Sequence, residues 1–156
     1  MVEIRAATLD DVGAVVDLHQ SVAGEGLWLG TEPPVDRERF AAVFRNAIEA
    51  DDHTLLVAVE GDRVVGNLGM YPVHAGAVGL GMSITDGYRG RGVGSALVAA
   101  AIDWARSRGD VHKIELEVWP HNAAGLRTDD LLSNPKADRL LGQLPAEEFV
   151  VFGTGL

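Results

Sequence analysis

The sequence predicts a single α/β domain whose mixed, mostly antiparallel sheet carries helices on both faces. Three observations lead there. Two β-branched runs, Thr54 to Val59 and Arg63 to Tyr71, flank the pair Gly61-Asp62, which is the signal of a two-residue hairpin. Stretches with one apolar stripe at helical spacing stand before and after this hairpin. From about Ala77 to Trp119 the order is strand, long helix, strand, a right-handed crossover whose two strands run parallel. A chain of 156 residues with 47% hydrophobic content suits one core, so the reading is one domain over 1–156, with 128–156 atypical.

The elements follow in order. Val2 to Arg5 alternates like a short strand, and Thr8 with Asp11 three residues on forms a capping-box spacing before a helix that turns Leu9, Val12 and Val16 to one side. Ser21 to Val35 holds three glycines and two prolines without a period and reads as a long loop, with Trp28 between the carboxylates Glu25 and Glu32. Asp36 caps a second helix that buries Phe40, Val43, Phe44, Ala47 and Ile48 as packing. Pro72 ends the second hairpin strand. A further strand, Ala77 to Thr85, contains Gly79 and Gly81, which mark a bulge or a close approach to the backbone. The helix after it, Gly92 to Arg108, faces inward with Val93, Ala96, Leu97, Ala100 and Trp104, and Gly109 follows its end. Val111 to Trp119 alternates as a half-buried strand that stops at Pro120.

Composition narrows the function. There is no cysteine, which removes disulfides, thiolate metal sites and a cysteine-bound acyl intermediate. The histidines show no i, i+4 metal spacing, so no metal is expected. A net charge of −10 disfavours nucleic acid as a partner and favours cationic ones. No apolar run approaches the ~20 residues of a membrane span, and the first residues lack a signal pattern, so a cytoplasmic location with no membrane partner is the expectation.

The chemistry concentrates in Met82 to Ser95, MSITDGYRGRGVGS. It reads as a strand end, a tight turn at Asp86-Gly87, and a loop of Arg89, Gly90, Arg91, Gly92, Val93, Gly94 and Ser95 that opens the long helix. The first amides of a helix lack internal partners, and glycines let anionic oxygens approach them, so a diphosphate-bearing ligand fits. A plain strand-to-helix turn with solvated arginines is the alternative. The spacing lacks the Gly-Lys-Ser/Thr of a Walker loop. It misses Gly-x-Gly-x-x-Gly by Ser95 or Leu97, although Glu115 stands where a dinucleotide site would carry its acid.

Arg89, Gly92 and Gly94 form Arg-x-x-Gly-x-Gly between a strand and a helix. This resembles the acyl-CoA signature of the GNAT superfamily of N-acetyltransferases, over residues 2 to about 126. The resemblance implies a GNAT-like acyl-CoA N-acyltransferase fold, acetyl-CoA as acyl donor with its diphosphate on this loop, and an amine as acceptor. It implies that the two parallel strands splay around the thioester arm, and that Asn122 hydrogen-bonds that arm; Asn122 also suits an ordinary helix N-cap.

Beyond Asn122 the chain departs from the family pattern. Where members carry a tyrosine that protonates the leaving thiolate stands Asp129, Ser133 and Asn134 replace Gly-Phe, and no tyrosine follows Tyr88. A single strand, Glu148 to Phe152, remains where two are usual, and its edge suits pairing with a second copy as a homodimer. A natively divergent end, a changed reading frame and an edge completed by a partner all remain open. Amine acetylation needs an oxyanion site, for which backbone amides of Met82, Ser83 and Ile84 are the candidates, and a base, for which Glu117, Glu32 and His74 are the candidates. The reading is therefore an acetyl-CoA-dependent N-acetyltransferase acting by direct attack in a ternary complex. A degenerate acyl-CoA-binding sensor is the alternative.

Overall fold

The computed structural model describes residues 1–26, 33–118 and 150–155, with 116–118 and 150–155 described by their backbone alone. Strand β1 (Glu3–Ala6) leads through a 3-10 turn (Leu9–Asp11) into α1 (Val12–Gly24), then α2 (Arg37–Glu49), β2 (Thr54–Glu60), β3 (Arg63–His74), β4 (Ala77–Ile84), α3 (Val93–Ser107), β5 (Lys113–Val118) and β6 (Val150–Gly155). The six strands lie in the sheet in chain order, β1-β2-β3-β4-β5-β6. All neighbours are antiparallel except β4 and β5, which run parallel across the α3 crossover.

Each face has its own apolar layer. On one, α3 lays Val93, Leu97, Val98, Ala101 and Ala105 over Leu68, Met70, Val78, Leu80 and Ile114. On the other, α1 and α2 close over Leu55 and Val57 with Val12, Val15, Val16, Phe44 and Ala47. Removing so large a buried side chain as Leu97, fully enclosed here, costs about 2–5 kcal/mol in comparable cores.

Several sequence expectations shift. Helix α1 extends through Ser21 to Gly24, where a loop is expected, because Val22 and Ala23 fall seven residues after the buried Val15 and Val16 and continue their stripe. Leu9 and Val43 are half exposed and Ala96 is exposed. On α3 the buried residues are 93, 97, 98, 101 and 105, a stripe that leaves Ala96 outside it. Strand β3 runs past Pro72 to His74, with a register irregularity between those two residues, the setting in which a strand accommodates proline. The Gly61-Asp62 hairpin, the Asp36 cap and the parallel crossover form as the sequence indicates.

Candidate active site

Helix α3 begins openly. Gly92 takes the N-cap position in the left-handed region, with φ of 83°, and offers no side chain to the helix. The first internal bond runs from the Ala96 amide to the Gly92 carbonyl at 3.0 Å, so the Val93, Gly94 and Ser95 amides have no partner within the helix. The approach is a tight turn, in which the Gly87 amide donates to Asp86 Oδ1 at 3.0 Å and the Tyr88 amide to the Thr85 carbonyl at 3.2 Å.

The three loop glycines serve two purposes. Gly90 and Gly92 have positive φ, which only glycine adopts without strain. Gly94 is a matter of space: a Cβ there would stand 3.1 Å from Ile84 Cδ1 and 3.5 Å from Met82 Cε. Its bare Cα lets the first turn of α3 settle onto β4.

The two arginines also part company. Arg89 donates from Nε to the Ile84 carbonyl at 2.9 Å and from Nη1 and Nη2 to the two oxygens of Glu25 at 2.8 and 2.6 Å. Its guanidinium thus ties the loop to the end of α1, and the Glu25 carboxylate raises its pKa. Arg91 lies 4.8 Å from the Tyr88 ring centroid and donates to the Gly87 carbonyl at 3.3 Å, keeping its charge over the loop. The Tyr88 hydroxyl donates to Glu60, which lowers the carboxyl pKa and raises that of the phenol.

A fork opens next to this helix start. The β4–β5 ladder comprises Ala77↔Lys113, Val78↔Ile114, Gly79↔Glu115 and Leu80↔Leu116 and then stops, while β4 continues to Ile84 and β5 to Val118. On its other side β4 stays paired with β3 through Ile84↔Gly66, so the expected bulge in β4 is absent and the gap comes from β5 leaving. Strand alternation fixes which groups face it. The Thr85 amide bonds to Val65 on β3, whereas the Gly76 carbonyl accepts from His112 and Lys113 on the β5 side. Even-numbered residues therefore address the gap. Arg89 takes the Ile84 carbonyl, and Met82 directs its amide into the opening.

The expected site residues divide accordingly. Met82, Ile84 and the 89–95 loop come together along β4 and the start of α3. Ser83 is buried, 6% exposed, with its amide on the β3 side. Glu117 has its backbone opposite Val151, one residue beyond the last β4–β5 pair. His74 sits level with Ala77, roughly 10 Å along the strand on the closed side of the fork. Its Nε2 lies 3.1 Å from Glu115 Oε1, which Lys113 Nζ also approaches at 3.1 Å. Glu32, Asn122, Trp28 and Asp129 lie outside the described residues. Sequence reasoning singled out no role for Glu25. Its distance of 64 residues from Arg89 left no local signal. Among the described residues no group of three or more acidic or histidine side chains is placed to hold a metal.

A family model described as the acetyltransferase (GNAT) family matches residues 21–128. No curated protein matches the chain. Among solved structures, a putative acetyltransferase from Salmonella typhimurium, YncA, with its cofactor acetyl-CoA, superposes with a TM-score of 0.79 at 18% identity, covering 100% of this chain and 93% of that one. A ribosomal-protein-alanine N-acetyltransferase from Brucella melitensis gives 0.77 at 24% identity, with 97% of each chain covered. The PaiA N-acetyltransferase of Thermoplasma acidophilum in complex with coenzyme A gives 0.74 at 14%, covering 100% and 99%. At these identities the likeness is one of fold.

Proposed function

Since the chain belongs to the GNAT acetyltransferase family, we propose that it transfers an acetyl group from acetyl-CoA to a primary amine of a small molecule or peptide, by direct attack with both substrates bound. One observation carries this: an uncapped helix start, whose first three amides have no partner among the described residues, stands directly beside a fork in the sheet. The amides of Val93, Gly94 and Ser95, with the charge of Arg91, suit a diphosphate. Arg89 supports the same loop from behind through Glu25 and the Ile84 carbonyl. A thioester reaching the fork meets the Met82 amide, a fixed donor for the oxygen that gains charge as the amine attacks. Glu117, one residue past the last ladder pair, is favoured by position as the base over His74, with Glu32 suited to selecting a cationic acceptor.

Calorimetry tests the donor site. Acetyl-CoA binds and NADH does not, and Gly92→Glu or Gly94→Glu, folded by circular dichroism, lowers acetyl-CoA affinity at least ~100-fold. Untouched affinity in both variants overturns the reading. Thiol release over a panel of amines then identifies the acceptor class. Asp129 in place of a tyrosine favours a second reading, a binding module without turnover. Acetyl-CoA binding with no thiol release on any amine selects it. The position of β6 at the end of the sheet supports pairing with a second copy, which sedimentation equilibrium measures.

A further inference from the structure

The chain has two tyrosines. Tyr88 gives its hydroxyl to Glu60. Tyr71 stands on β3 opposite Gly79 of β4. A Cβ on Gly79 would lie 2.5, 2.7 and 2.9 Å from Cε2, Cζ and the hydroxyl oxygen of Tyr71, so the outer end of the ring rests on the glycine in place of a side chain. Val78 and Leu80 point into the layer under α3, and alternation therefore sets this ring on the opposite face. Gly79 pairs with Glu115, and the last ladder pair, Leu80↔Leu116, is one strand step of about 3.3 Å further on. Past it, exposed Gly81 has nothing within 4 Å of where a Cβ would be and faces Gly69 across the ladder. The phenol thus borders a glycine-floored opening at the vertex of the fork.

We propose that Tyr71 is a catalytic residue that protonates the departing sulfur, a proposal that rests on the acetyl-transfer reading above. The amine nitrogen forms the C–N bond with its lone pair, and the C–S bond breaks with its electron pair leaving on sulfur. The Tyr71 O–H proton passes to that sulfur and yields the free thiol. The surplus proton on nitrogen goes to the base or to water, and solvent reprotonates the phenolate. A phenol with an ordinary pKa of about 10 holds its proton near neutral pH, where an ordinary aspartic acid at about 4 has lost it.

Tyr71→Phe removes one oxygen from a residue that is 45% exposed, and circular dichroism checks that the variant is folded. With an accepted amine, kcat falls ~30-fold or more, the KM for acetyl-CoA stays within about twofold, and the high-pH limb of the kcat profile disappears. Gly79→Ala, which displaces the ring while keeping the hydroxyl, lowers kcat in the same way. Independently of any acceptor, CoA affinity at pH 9, where the thiol begins to ionise, falls about twofold or more in Tyr71→Phe while desulfo-CoA affinity is unchanged. Wild-type kcat together with an unchanged preference for CoA over desulfo-CoA overturns the proposal and leaves the acyl-CoA reading standing. Failure of the wild-type protein to bind desulfo-CoA overturns both.

Discussion

Helix α1 is gripped at each end by an arginine and a carboxylate in a two-pronged pair. At its start Arg5 meets Asp11 with bonds of 2.7 and 2.9 Å; at its finish Arg89 meets Glu25 with bonds of 2.8 and 2.6 Å. The bonding is alike and the settings differ. Asp11 has a side chain only 11% exposed and also accepts from the Thr8 amide at 2.7 Å and the Thr8 hydroxyl at 3.1 Å. The Arg5 bond, foremost, and the Thr8 bonds together lower its pKa from 3.8 to about 2 against the opposing effect of burial. Its partners all lie within six residues, so it fastens β1 to its own helix. The Arg89–Glu25 pair is about three-tenths exposed on each side and joins residues 64 apart, from the loop before α3 to the end of α1. One pair thus holds a strand to the helix next to it in the chain, and the other holds the loop before α3 to the far end of that helix.

That contrast can be broken. Asp11→Asn should cost about 2–3 kcal/mol in urea unfolding at pH 7, against less than about 1 kcal/mol for Glu25→Gln; equal costs would erase the distinction. Acid sharpens it. The folded pKa of Asp11 lies below its unfolded value, so its contribution is complete above about pH 5 and is lost as pH falls through about 2. The stability gap between wild type and Asp11→Asn should therefore close over that window. Next in size, Glu25→Gln should weaken acetyl-CoA binding about three- to tenfold in calorimetry, whereas Asp11→Asn should leave it unchanged while folded. The smallest effect belongs to Arg91→Gln, which pairs with neither carboxylate. A loss of about threefold at low salt, vanishing near 1 M, is expected from a screened charge.

What the sequence disclosed follows the same division between near and far. Thr8 and Asp11, Asp36 and the Gly61-Asp62 turn all act within a few residues, and each was readable. The fork was implied by resemblance alone, because where β5 leaves β4 is set by a register between strands 36 residues apart at Ala77↔Lys113. The Glu25 brace, between residues 64 apart, was likewise beyond local pattern. Helix stripes failed in detail at Val43 and Ala96, apolar residues small enough to be left outside. Pro72 misled because a strand irregularity, invisible in composition, makes room for it.

Because β2, β3 and β4 follow one another through tight connections, they can pair within the first 84 residues by contacts that close quickly, whereas β1 joins β2 across two helices. The fork needs β5, which returns only after a full helix has formed. A nascent chain would thus acquire most of its framework before any opening for a thioester exists, and pulsed hydrogen exchange should find β2 and β3 amides protected ahead of those in β5.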